Sequence, residues 1–126
     1  MKELEAKILK YLQARGWDHL RPSDLAKSIM IEGAELLEVF QWENLPLEDI
    51  KKNKEKMGEI RKELADVLIY CLQMSALLEL DANKIVRSKL AKAAKKYPAK
   101  LMRKRVGEPG TEGAYLEIKA AHRKNK

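Results

Sequence analysis

Three glutamates recur at three-residue intervals in IEGAELLEVFQW, residues 31–42: Glu32, Glu35 and Glu38. A second acidic pair with the same interval, Glu63 and Asp66, lies in EIRKELADVLIYCLQ. Residues three apart share a helix face, so each pair presents two carboxylates on one side of its helix. Asp66 is the most telling of them. Leu64, Val67, Leu68 and Ile69 surround it, and Asp is a poor residue for a helix interior. A carboxylate enclosed by apolar residues needs a cation or else takes up a proton. The neighbouring Arg61 and Lys62 are expected to point elsewhere around the helix. Two helices that each carry an acidic pair can bring four carboxylates to one point. That arrangement repels itself when empty and suits a hard divalent cation with oxygen ligands.

The residue types narrow the metal. Di-iron bundles use Glu-x-x-His on two helices, whereas His19 and His122 are the only histidines and neither follows a glutamate by three. All-oxygen ligation points to Mg²⁺ or Mn²⁺. Magnesium usually shares its site with waters and substrate phosphates, so a phosphate-bearing substrate follows.

These residues must be positioned by helices. Leu4, Ile8, Tyr11 and Leu12 give helical spacing to residues 2–15, with Gly16 as the stop. RPSD supplies a break and an N-cap candidate, Ser23 or Asp24, for a second helix running to about Trp42. ENLP breaks the chain at Pro46. A third and longest helix starts between Glu48 and Glu55 and ends near Leu80, with Gly58 as a possible interruption. Asp81 caps a fourth from about Ala82 to Tyr97, which Pro98 stops. VGEPGTEG is turn-rich and separates a loosely held C-terminal piece. The domain reading is 1–98 helical and 99–126 a basic, loosely ordered tail. Strand alternation is absent, so the fold class is all-α, a four-helix bundle. From Leu64 to Leu80 the third helix is apolar on nearly every side. That predicts burial all round, either in a homodimer or homotetramer or within one chain.

Composition sets the remaining bounds. At 126 residues with 45% hydrophobic and 36% charged residues, the chain is one soluble helical domain, not a disordered or membrane protein. A single cysteine, Cys71, excludes an intramolecular disulfide and points to a reducing, cytoplasmic setting. The N-terminal residues are charged and do not resemble a secretion signal. The net charge of +7 invites a nucleic-acid reading. However, residues 99–126 hold eight Lys/Arg against three Glu, a net +5, which leaves only +2 for the other 98. The excess is a property of the tail.

The E-x-x-E of IEGAELLEVFQW, followed about 30 residues on by ELADVLIY and then KKYP, resembles the MazG-type all-α nucleoside triphosphate pyrophosphohydrolases, specifically the small dCTP pyrophosphatase-like branch. The resemblance runs from about Trp17 to Pro98. It implies a four-helix-bundle-like MazG fold whose core is completed by homodimerisation or by a dimer of dimers. It also implies Mg²⁺-dependent hydrolysis of NTPs or dNTPs to the monophosphate and pyrophosphate. Carried onto this chain, the metal ligands are Glu32, Glu35, Glu63 and Asp66. Either Glu35 or Glu38 orients or deprotonates the attacking water. Trp17, Trp42 and Tyr70 fall where the family's nucleoside-contacting aromatics occur. Lys89 and Lys96 are the preferred phosphate contacts among the fourth-helix lysines, with Tyr97 beside them. Two features depart from the family pattern: Ala93 stands where an asparagine is usual, and AKILK lacks the histidine that some relatives carry. Both bear on base preference. The competing reading is a non-enzymatic helical interaction module whose basic tail binds nucleic acid; a phosphatase releasing orthophosphate is a third.

Overall fold

Seven helices follow one another in the computed structural model, which describes residues 2–103 and 111–124 and places side chains over 2–102 and 116–124. They are α1 (Lys2–Ala14), α2 (Pro22–Glu38), α3 (Leu47–Lys52), α4 (Lys54–Leu77), α5 (Ala82–Lys96), α6 (Ala99–Arg103) and α7 (Thr111–Lys124). No strand occurs among the described residues. The all-α expectation holds.

The chain divides into two units, residues 1–82 and 83–126. The first contains α1 to α4 and the first residue of α5. Its apolar centre is Ile8 and Leu12 of α1, Leu72 of α4 and Ala82, with Leu77 packed against them. Leu25 of α2 is buried as well. A carboxylate also ties this core together: the Ala82 amide donates to Glu5 Oε1 at 3.2 Å, giving an orphan amide at the α5 N-terminus a partner.

Gly16 ends α1 as expected. Its φ of +68° is the left-handed geometry that favours glycine. The Trp17 amide reaches back to the Leu12 carbonyl at 2.9 Å and the Gly16 amide to Gln13 at 3.2 Å. This pair of bonds turns the chain sharply and holds Trp17 against the helix end. Its ring then meets Tyr11 edge-on, 6.1 Å between centroids. The same device ends α4, with Glu79 at φ 56° in the glycine-like position. There the Leu80 amide bonds Ser75 O at 2.8 Å, and the Ser75 hydroxyl donates to Leu80 O at 3.0 Å.

Both boundaries of α2 differ from the sequence reading. Arg21, not Ser23 or Asp24, is the residue before α2, and it caps without its side chain. Pro22 has no amide to satisfy and a φ already suited to the first helical position, so the helix begins ahead of the capping candidates. Asp24 instead pairs with Arg21 Nε at 3.0 Å. At its other end α2 stops at Glu38. Val39, Phe40 and Gln41 then bond three residues back, tightening the last turn before Trp42. The long helix starts at Lys54, inside the expected window of Glu48 to Glu55, and passes Gly58 without interruption. Asn53 has extended backbone and its side chain accepts from the Lys56 amide, capping α4 and leaving α3 as a separate short helix.

The second unit contains the rest of α5, then α6 and α7. Arg87 donates to Asn83 Oδ1 at 2.8 Å within α5. Helices α6 and α7 occupy much of the segment expected to be loosely held, while most of VGEPGTEG lies outside the described residues.

Candidate metal centre and the cleft beside it

Helices α2 and α4 run antiparallel. Lys56, in the first turn of α4, donates to the Val39 carbonyl at the end of α2 at 2.8 Å and pairs with Glu43 at 3.4 Å. A cation at a helix C-terminus satisfies a free carbonyl and complements the helix dipole. With that end fixed, α4 residues of rising number meet α2 residues of falling number. Glu63, seven residues after Lys56 and on the same face, arrives beside Glu35, and Asp66 joins Glu32.

The result is a nest of four carboxylates. Glu32, Glu35, Glu63 and Asp66 each offer an oxygen, and these oxygens all lie within 4.8 Å of one another. The structure therefore brings together the four residues expected as ligands. Glu32 Oε2 and Glu63 Oε2 are enclosed and have no hydrogen-bond partner. Buried acceptors without donors are costly and rare in a folded protein. Protonation partly relieves the repulsion. Hydrogen bonding to Glu32, repulsion from Glu32, and burial raise the Glu35 pKa above the ordinary 4.5; a hydrogen bond from Glu63 opposes this, and Glu38 adds a further push upward. Burial, followed by the Glu35 charge, raises Glu63, against which the Lys62 ammonium pulls downward. A hard divalent cation fits this donor set: it takes oxygen ligands, and it would complete the two orphaned oxygens.

The nest opens into a cleft of about 1160 Å³ between α1, α2 and α4. Trp17 and Tyr70, both expected near a nucleoside, line it together with Tyr11. Trp17 is half exposed, which leaves ring surface available. Trp42 does not border the cleft and is 87% exposed in the single chain. Glu38 is exposed and outside the four-oxygen group, yet near enough for its charge to act on Glu35. Lys89, Lys96 and Tyr97 belong to the second unit, where Lys96 Nζ sits 5.2 Å over the Tyr97 ring.

Lys62 is a correction. Expected to point away, it lines the cleft and its charge bears on Glu63. Gln73 was not singled out from sequence, although it continues the Asp66–Tyr70 face by one more turn. Only the placement of Gln73 had a signal in the spacing: residues 63, 66, 70 and 73 alternate steps of three and four along a single stripe.

Comparison with known proteins gives a consistent result. A family model described as the MazG-like family matches residues 27–106. The chain is 31% identical over 97 residues to dCTP pyrophosphatase 1 of Rattus norvegicus, covering 75% of this chain and 56% of that protein. The Homo sapiens protein of the same name matches with the same identity and coverage. The chain thus spans little more than half the length of these curated relatives. Among solved structures, a pyrophosphatase from Archaeoglobus fulgidus is similar with a TM-score of 0.68 and 39% identity, covering 78% of this chain and 92% of that one.

Proposed function

The chain belongs to the MazG-like family, and from that premise we propose that it hydrolyses nucleoside or deoxynucleoside triphosphates to the monophosphate and pyrophosphate, with dCTP-like substrates foremost. The observation that carries this reading is the four-carboxylate nest with two enclosed, unpartnered oxygens at the mouth of an aromatic-lined cleft. The pyrophosphatase names of its relatives agree with it.

Glu32, Glu35, Glu63 and Asp66 would hold Mg²⁺, or Mn²⁺ in its place. Bound there, the ion supplies charge neutralisation for phosphate oxygens and acidifies water. The chain's own residues do the rest. Glu38 is the carboxylate left outside the ligand set, so it accepts the proton of the water that attacks the α-phosphorus as the bond to the β-phosphate breaks. Lys62, on the cleft wall beside Glu63, offsets negative charge. Lys89 and Lys96, with Tyr97, are proposed as phosphate contacts on the family resemblance alone. Trp17 and Tyr70 offer flat surfaces to the nucleoside. Clearing unwanted nucleotides from the cytoplasmic pool is the role that fits this chemistry.

The working form we propose is a homodimer or homotetramer. Met30, Ile31 and Leu37 on α2 and Leu64, Leu68 and Ile69 on α4 are all exposed in the single chain. So much large apolar surface marks a contact face. Trp42, 87% exposed, is then a substrate contact completed by assembly.

Product analysis with a panel of NTPs and dNTPs tests the reaction. Monophosphate and pyrophosphate should form with Mg²⁺, and neither should form with EDTA or in Glu63→Gln. Release of orthophosphate would replace this reaction with a phosphatase; turnover undiminished in Glu63→Gln would remove the nest from it.

A further inference from the structure

Beyond the nest, one buried polar side chain of the cleft lining makes no hydrogen bond among the described residues. Gln73 is only 6% exposed and lines the cleft wall. Among the described residues its side-chain amide makes no hydrogen bond, whereas its buried neighbour Ser75 donates to Leu80 O. The Gln73 amide is also not among the fully enclosed orphan atoms of the described residues, which are Glu32 Oε2 and Glu63 Oε2. A buried amide that is neither bonded nor sealed in the protein faces the free volume of the cleft. Burying an unmet donor and acceptor costs stability that an apolar residue here would not cost.

Its position says what would meet it. Gln73 is seven residues after Asp66 and three after Tyr70 on the same stripe of α4. Seven residues of helix advance about 10 Å, comparable to the reach of a nucleotide from its phosphate to the edge of its base. The stripe therefore runs from anion-bearing cation nest, past an aromatic ring, to a lone amide. An amide presents a donor beside an acceptor, which matches the adjacent donor and acceptor on a base edge.

Resting on the nucleotide reading above, we infer that Gln73 is a base-reading residue: its carboxamide hydrogen-bonds the edge of the substrate's nucleobase in the cleft and sets the ranking among bases. The family resemblance supplies no role for this position, and the two sequence departures, at Ala93 and in AKILK, leave base choice to residues such as this one.

Gln73→Leu and Gln73→Met remove the amide while keeping the side chain's bulk and apolar fit. The test measures kcat and KM for the full-length protein on four dNTPs and their ribonucleotide counterparts, beside the melting temperature of each variant. The ratio of kcat/KM between the best and worst base should narrow by about tenfold or more, with KM for the preferred base rising more than kcat falls. Melting should be unchanged or higher, since the orphaned amide is gone. If both variants keep the wild-type base ranking, or change only the deoxyribose-to-ribose preference, Gln73 does not read the base. A variant that fails to fold leaves the other to decide, and if neither folds the amide is structural and the inference fails. A wild type that turns over no nucleotide removes the underlying reading as well, an outcome distinct from an unchanged ranking.

Discussion

The two ends of α4 obey opposite rules. At its C-terminal end Leu72 packs with Ile8, Leu12 and Ala82, and Ser75 satisfies its hydroxyl on the Leu80 carbonyl. At its N-terminal end, Glu63 and Asp66 join two more carboxylates and leave two enclosed oxygens without a donor. One end lowers the free energy of the fold by removing apolar surface from water. The other raises it through like charges held together. A fold keeps such a cost where a ligand repays it, so the contrast separates the part of the helix that holds the protein together from the part that acts.

Substitutions should separate the ends by sign. Leu12 is fully buried at the centre of the apolar end. Leu12→Ala should cost about 3 kcal/mol, lowering Tm on the order of 10 °C with or without metal, as thermal denaturation would report. A loss that Mg²⁺ reversed would show the two ends to be coupled.

The smaller effect is one of pH. Glu35 and Glu63 both titrate above 4.5 in the folded protein. Above 4.5 and up to their raised values, the folded state binds more protons than the unfolded chain. Stability in EDTA should therefore be fullest below about pH 4.5 from these two groups and fall as pH rises through that window. Glu35→Gln should flatten the slope. A melting profile in EDTA that rises across the same window would contradict the repulsion assigned to the nest.

The comparison also explains what could be read from sequence. The nest was legible because the i, i+3 spacing of Glu32–Glu35 and Glu63–Asp66 survives any detail of how the helices pack. Gly16 was legible because a sharp helix stop needs left-handed backbone. The facing of Lys62 and the unmet amide of Gln73 were not, since both depend on how α4 is rotated against α1 and α2, which Lys56 and the Leu12 core decide together. The start of α4 is bracketed in sequence between Glu48 and Glu55 but not fixed, because what decides it is local: the Asn53 side-chain cap, while Gly58 is a glycine that the helix tolerates at a cost of about 1 kcal/mol. The apolar circumference of α4 is visible in sequence as a pattern, and Leu64, Leu68 and Ile69 on it are exposed in the single chain.

The most direct measurement is the melting temperature of the wild type and of Glu63→Gln, each in EDTA and in millimolar Mg²⁺. If the nest exists for a cation, the variant melts at or above the wild type in EDTA, because one repelling charge and its enclosed oxygen's demand are relieved. Mg²⁺ then raises the wild type and leaves the variant where it was. A wild type indifferent to Mg²⁺, with Glu63→Gln melting well below it in EDTA, would mean that Glu63 supports the fold through contacts of its own and that the four carboxylates are not a metal site.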